Sequence, residues 1–334
     1  MHIQNNVSLK DFSTMRLGGL AHALTTVTNV DELREAVAWA DEQKLPILVL
    51  GGGSNVIFSD GYAGLVIVNA IPGFEVLGET TVRIGAGENW DNAVKHAVDL
   101  GLHGIEYLSA IPGTAGATPV QNVGAYGAQI SDVFKELQAF DLQTHQLVTL
   151  TKTDCGFTYR HSIFKSPKNR RYIITSITLE LNKKSPTPPF YASLQRYLDE
   201  HNITNYTPQA IRDAVVAIRA IKLPDPSKIA NTGSFFKNPI VPAKHAAELL
   251  AKHPTMPHWD APDNCKKLAA GWLIEQAGLK SYHAHGMATY EHHALVLVNE
   301  SAKNYADLAA FRQEITDTVH KRFGVTLEQE PELL

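Results

Sequence analysis

The sequence predicts an α+β protein of two domains, on three observations. The chain has 334 residues, 44% of them hydrophobic, and at roughly 150 residues per domain that is enough for two cores. Its first half alternates short strand signals with helix signals, while the remainder is a mixed region of helices and strands. Between them Ser185-Pro186-Thr187-Pro188-Pro189 is the clearest break, which puts the boundary between about 185 and 225.

The elements follow in order. Leu33, Ala36, Val37 and Ala40 recur at helical spacing, with Asn29 and Glu32 placed as a capping box. The apolar run Ile47-Leu48-Val49-Leu50 ends abruptly in Gly51-Gly52-Gly53-Ser54-Asn55. Val56-Ile57-Phe58 and Leu65-Val66-Ile67-Val68 are β-branched or aromatic and too short for helices, which predicts strands. A strand at 82–86 leads into a helix from Trp90, with Ala93, Val94, Ala97 and Val98 on one face. Residues 105–130 are mostly Gly, Ala, Pro and small polar residues, and strands resume near 133–142 and 172–181. Thr207-Pro208 opens a helix, the threonine as N-cap and the proline at the first position. Helices near 242–252, 264–277 and 304–323 and a strand at 294–298 complete the reading.

Composition excludes several classes. The hydrophobic fraction is too high, and the net charge of -4 too small, for a disordered chain. Thirty basic against 34 acidic side chains leave no basic stripe, only short clusters such as Lys168 to Arg171, so no nucleic-acid partner is expected. No run approaches the roughly 18 consecutive apolar residues of a membrane span. The start, Met1-His2-Ile3-Gln4-Asn5-Asn6, lacks a basic and then apolar leader, so a soluble, cytoplasmic protein without membrane partners is expected. Cys155 and Cys265 offer neither a C-x-x-C motif nor a disulfide framework. His283, His285, His292 and His293 cluster, but their spacing matches no zinc pattern and no metal is expected.

Three segments can carry chemistry. Successive glycines after a buried strand let the loop Gly51 to Asn55 point several N–H groups at one spot, an anion nest, though a tight hairpin turn accounts for it equally well. No Gly-Lys-Ser/Thr follows, and a strand rather than a helix comes next, so it is neither a Walker loop nor a Rossmann fingerprint. Ile111 to Gly127 packs four glycines and two prolines into 17 residues. An apolar loop of that length with small side chains suits close approach by a large flat cofactor bearing a diphosphate. Lys222-Leu223-Pro224-Asp225-Pro226 and Asn231-Thr232-Gly233-Ser234-Phe235-Phe236-Lys237-Asn238-Pro239 supply two lysines and an asparagine, suited to a phosphate-bearing ligand. Ser234 is not in a Gly-x-Ser-x-Gly elbow, which gives a hydrolase no support.

Together with Tyr159-Arg160-His161-Ser162-Ile163-Phe164-Lys165, these motifs occur in the order found in the UDP-N-acetylenolpyruvoylglucosamine reductase family, which the chain resembles from Asn6-Val7-Ser8-Leu9 to Glu330. The resemblance implies an FAD-binding domain of the vanillyl-alcohol-oxidase/PCMH type over 1–215, with subdomains of about 1–68 and 69–185 and a type I segment over 186–207. A C-terminal α+β substrate-binding domain over 216–334 would follow. It also implies non-covalent FAD, NADPH as co-substrate, a UDP-sugar substrate and a monomer. The reaction would reduce UDP-N-acetylglucosamine enolpyruvate to UDP-N-acetylmuramate, in peptidoglycan precursor synthesis.

By the same resemblance Gly51, Gly52, Gly53, Ser54, Asn55, Ile111, Gly113, Thr114, Gly116, Ala117 and Gly124 would hold FAD. Arg160 would stabilise the substrate carboxylate and enolate, Ser234 would donate the proton, aided by nearby positive charge such as Lys237, and Glu330 would polarise or orient the carboxylate. Lys222 and Asn238 match diphosphate ligands, and His293 stands where family members place Gln or His. Tyr126 would lie near the substrate, and Tyr191 would close over it, with Tyr197 a rival in register. Where the family continues Glu-x-Glu-Val-Arg, this chain reads Glu328-Gln329-Glu330-Pro331-Glu332, and the spacing from Gly324-Val325 favours Glu330 over Glu328. A flavin-dependent oxidase of the same superfamily and a non-catalytic nucleotide-binding module are the alternative readings.

Overall fold

The computed structural model describes residues 1–165 and 171–334, so the basic cluster from Lys168 lies outside it except for Arg171. Two compact units are formed. The first comprises Met1–Val7, Leu20–Gly53 and Tyr62–Ala220, and the second Ser8–Gly19, Ser54–Gly61 and Ile221–Leu334.

In the first unit the strands Leu20–Val27 and Ile47–Leu50 both run parallel to Tyr62–Asn69. Helix Val30–Gln43 forms the crossover between the first two, as parallel pairing requires. Asn29 caps it by accepting from Glu32 N, while Glu32 reaches back to Thr28 rather than to Asn29. Leu33, Ala36, Val37 and Ala40 are buried against Ala23, Leu65 and Ile67. A second sheet is antiparallel, in the order Gln146–Thr151, Phe134–Asp141, Tyr172–Glu180, Thr81–Gly85, Phe74–Val76. Helix Trp90–Asp99 buries Trp90, Ala93, Val94, Ala97 and Val98 in its core. Phe140 and Ile173 of the second sheet reach the first sheet's core, and Asn69 Nδ2 donates to Ile174 O at 2.7 Å. Helices Ala192–Glu200 and Pro208–Lys222 share a smaller core of Leu194, Leu198, Ile211, Ala214, Val215 and Ile218. Thr207 caps the second of these through Ala210 N at 3.1 Å.

The second unit is built on the antiparallel sheet Ala230–Ser234, His293–Asn299, Met287–Tyr290, His283–Ala284. Helices Ala270–Gln276 and Tyr305–Phe323 contribute to its core, where Leu273, Phe311, Ile315 and Val319 pack with Phe235 and Phe236. Met15, Leu17 and Ile57 are buried in the same core. That burial is why Ser8–Gly19 and Ser54–Gly61 belong to this unit, which a single cut near residue 215 would separate from it. The helix expected over 264–277 is shorter. Cys265–Leu268 is a strand held on both edges by Ile240–Pro242 and His258–Ala261, and only Ala270–Gln276 is helical. Pairing on two sides outweighs a weak local preference here.

Candidate active site

The Gly51 loop and the Ile111–Gly127 segment meet closely because Gly51 and Gly52 carry no Cβ at the contact. A Cβ on Gly51 would lie 2.4 Å from Thr114 Oγ1, and one on Gly116 would lie 2.5 Å from Ala86 Cβ. Gly52 likewise abuts Gly113. This layering leaves Thr114 Oγ1 buried with no hydrogen-bond partner among the described residues, as it does Ser176 Oγ on the strand packed against the Ala115–Ala117 turn. Buried hydroxyls are normally satisfied, so two orphans beside a close-packed backbone cradle fit a ligand rich in acceptor oxygens, such as a diphosphate. Ile111 is partly buried against the core of the antiparallel sheet. Gly53 has φ +62, while Ser54 and Asn55 fall in the second unit, where Asn55 O accepts from Glu332 N at 2.9 Å.

The Tyr159 to Lys165 motif is tied to the same segment. Arg160 donates to Gly124 O at 2.7 Å, and Ser162 to Val120 O at 2.6 Å. Arg160 holds φ +53 and its guanidinium lies 5.5 Å over the Tyr159 ring. Asn122, also left-handed at φ +48, donates to Gln129 Oε1 and Thr158 O and accepts from Ser131 N. A strained non-glycine backbone persists only where its surroundings over-determine it, and such residues gather at functional sites.

Tyr126 (φ +50) meets Tyr191 edge-on, ring centroids 6.0 Å apart. Tyr191 precedes helix Ala192–Glu200 and is 38% exposed, whereas Tyr197 stacks on His201 at 3.9 Å. Arg219 donates to Ala110 O at 3.3 Å, and its charge acts on Tyr126. Burial raises the Tyr126 pKa against the opposing effect of the Arg219 charge, and burial lowers that of Arg219. Arg212, one heptad before Arg219, grips Asp91 through two bonds of 2.6 and 2.9 Å. Burial would raise the Asp91 pKa, but the bonds from Arg212 and from Ala110 N at 2.6 Å outweigh it and hold the carboxyl below its ordinary range. Arg212, Arg219 and Asn122 were not singled out from sequence. Two arginines seven apart on a helix that otherwise buries Ile211, Val215 and Ile218 were the signal for the first two.

In the second unit Ser234 ends strand Ala230–Ser234. Residues 328–330 run antiparallel beside 235–237, with Lys237 N donating to Glu328 O and Glu330 N to Phe235 O at 2.8 Å. Glu330 is 8% exposed, while Glu328 is exposed and ion-paired to Lys237 at 3.1 Å. Asn238 Oδ1 accepts from Ala270 N at 2.9 Å, at the start of helix Ala270–Gln276. His293 lies against Gly271, 3.3 Å from where a Cβ would stand. Burial, then the Lys222 charge, lowers its pKa, so the imidazole is neutral at pH 7. His283 and His285 pair instead with Glu300 and Glu314. Among the described residues no three His, Cys, Asp or Glu side chains gather as a metal site, and no helix is long and apolar enough to cross a membrane.

Residues 21–151 match the family described as "FAD binding domain", and residues 225–334 that described as "UDP-N-acetylenolpyruvoylglucosamine reductase, C-terminal domain". The UDP-N-acetylenolpyruvoylglucosamine reductase of Ralstonia nicotianae is 43% identical over 326 residues, covering 96% of this chain and 95% of its own. That of Neisseria meningitidis is 42% identical over 99% of this chain and 97% of its own. Among solved structures, the reductase from Thermus caldophilus has a TM-score of 0.70 at 24% identity, over 100% of this chain and 99% of its own. The 6-hydroxy-D-nicotine oxidase from Arthrobacter nicotinovorans has a TM-score of 0.56 at 14% identity, over 97% and 86%. These two likenesses concern the fold, and both agree with the α+β class expected.

Proposed function

The chain belongs to the UDP-N-acetylenolpyruvoylglucosamine reductase family, and from that premise we propose how its residues divide the reaction. It is an FAD-dependent oxidoreductase acting on a UDP-sugar in peptidoglycan precursor synthesis. We assign NADPH as the reductant, UDP-N-acetylglucosamine enolpyruvate as the substrate, and a cytoplasmic monomer as the working form. We take the FAD-binding domain as 1–215 without Ser8–Gly19 and Ser54–Gly61, and the substrate domain as 216–334 with those two segments, which belong to the same compact unit as Ile221–Leu334.

Thr114 and the amides of Gly51, Gly52, Gly53, Gly113 and Gly116 would hold the FAD diphosphate, with Ile111, Ala117, Gly124, Ser54 and Asn55 completing the cofactor's surroundings. The orphaned Thr114 hydroxyl supports this fit. When bound, FAD supplies a hydride to the terminal carbon of the enolpyruvyl double bond, after being reduced by NADPH. The displaced electron pair spreads from the adjacent carbon into the carboxylate. Arg160 neutralises the charge that grows there, and its bond to Gly124 O fixes its direction before the substrate arrives. Ser234 gives its proton to the adjacent carbon, and the alkoxide left behind is reprotonated by water. Glu330 orients the substrate carboxylate; Glu328, exposed and paired with Lys237, is free of that duty. Lys222 and the Asn238 amide grip the UDP diphosphate, neutral His293 donates or accepts one hydrogen bond, and Tyr126 and Tyr191 cover the substrate.

The observation that carries this reading is the backbone bond from Glu330 N to Phe235 O. It brings two motif residues far apart in sequence, Ser234 and Glu330, to one place. The test is Ser234→Ala in the two half-reactions. Reduction of the flavin by NADPH should be nearly unchanged, while reoxidation by substrate slows at least about 10²-fold. Equal loss in both halves would refute the assignment.

A further inference from the structure

We infer that Asn231 is a positioning residue for Ser234, an inference that rests on the reading of Ser234 as the proton donor. Strand Ala230–Ser234 pairs Asn231 with Val298 and Ser234 with Val296, so Thr232 and Gly233 together stand opposite Leu297 alone. This is a bulge, and bulges re-aim the side chain that follows them. Gly233 enters it at φ +72, a conformation that costs a residue with a Cβ.

The bulge is closed by one side chain. Gly233 N donates to Asn231 Oδ1 at 2.8 Å, while Asn231 Nδ2 donates to Ile229 O at 2.7 Å and Pro224 O at 3.2 Å. Asn231 is 2% exposed, so water has no access to replace these bonds. The position needs one acceptor and two donors at the end of a short chain. Asparagine alone among short side chains has that inventory: aspartate lacks the donors, and serine has a single hydroxyl. Beyond Ser234 the backbone is held independently, through Phe235 N to Leu295 O and Glu330 N to Phe235 O. The Asn231 amide therefore fixes the near side of Ser234 as the backbone fixes the far side. Its bond to Pro224 also ties in the segment that carries Lys222.

The test uses the FAD-loaded enzyme and compares Asn231→Ala, Ser234→Ala and the double variant in the two half-reactions. A donor displaced by about 1 Å loses up to about 10²-fold. Asn231→Ala should therefore slow flavin reoxidation by substrate about 10- to 100-fold and leave reduction by NADPH within about twofold. In the Ser234→Ala background it should cost nothing further, because the group it positions is gone. Slowing of both half-reactions alike, or the same added loss without Ser234, would make Asn231 merely structural and overturn the inference. Wild-type reoxidation in Ser234→Ala would instead remove the donor reading itself, and the inference with it. Should Asn231→Ala fail to hold its flavin, Gly233→Ala disturbs the same bulge through φ alone, since nothing lies within 4 Å of its Cβ. It should show the same split between half-reactions, and an unaltered reoxidation rate would overturn the inference.

Discussion

Gly51→Ala tests the cradle by a single methyl group. The added Cβ would lie 2.4 Å from Thr114 Oγ1 and 3.4 Å from Ala117 Cβ. The first distance is below any real contact, so Thr114 must turn or move. Gly51 has no positive φ, so its backbone accepts alanine and the whole cost falls on that contact. Overpacking of this kind costs about 1–3 kcal/mol. Before FAD binds, the hydroxyl can swing away at little expense. Once bound, it is needed where it stands, so the cost appears as lost affinity of about 5- to 140-fold. Quenching of flavin fluorescence on titration into flavin-free protein measures that loss. Thermal unfolding of the same flavin-free sample should shift little. Gly78→Ala is the control, because nothing lies within 4 Å of its Cβ and its φ is not positive. Wild-type FAD affinity in Gly51→Ala would refute the assignment of Thr114 and the cradle.

Further outcomes follow from the site. His293 has a lowered pKa in the fold, so as pH falls through about 6.5 the unfolded chain takes up the proton first and stability is lost below that pH. Urea unfolding at pH 8 and pH 5 should show this loss in the native protein and a smaller one in His293→Gln. Tyr191→Phe should raise KM for the UDP substrate about 2- to 10-fold, the worth of one hydrogen bond, while Tyr197→Phe leaves it unaltered; the reverse would hand the closing role to Tyr197. Glu330→Gln should slow reoxidation of the flavin by at least about tenfold, whereas Glu328→Gln, which breaks only an exposed ion pair worth about 0–1 kcal/mol, should match the native rate.

Much of the fold could be read from local pattern. The face formed by Leu33, Ala36, Val37 and Ala40 is buried as its spacing requires, and Thr207 caps its helix as Thr-Pro predicts. Reading failed where pairing between distant segments decides the outcome: Cys265–Leu268 is a strand because partners flank it on both sides. It was equally blind to a chain break that is not linear. Met15, Leu17 and Ile57 carry no mark of the core they join.

The candidate site divides the same way. Glycine-rich loops, the Tyr-Arg-x-Ser motif and the Gly-Ser-Phe-Phe segment are written in consecutive residues, because close approach of backbone and ligand makes demands on each position by itself. The duties of Asn231, Asn238 and Arg219 are not so written. An amide or a guanidinium has several donors, and which of them is spent depends on the acceptor that packing brings near: Pro224 O for Asn231, Ala110 O for Arg219. For Asn238 it is the oxygen that is spent, on Ala270 N. Residue types and their order were enough to identify the family and its motifs. Only the folded backbone decided which carboxylate is buried, which tyrosine faces Tyr126 and how Ser234 is held, since each depends on segments brought together from afar.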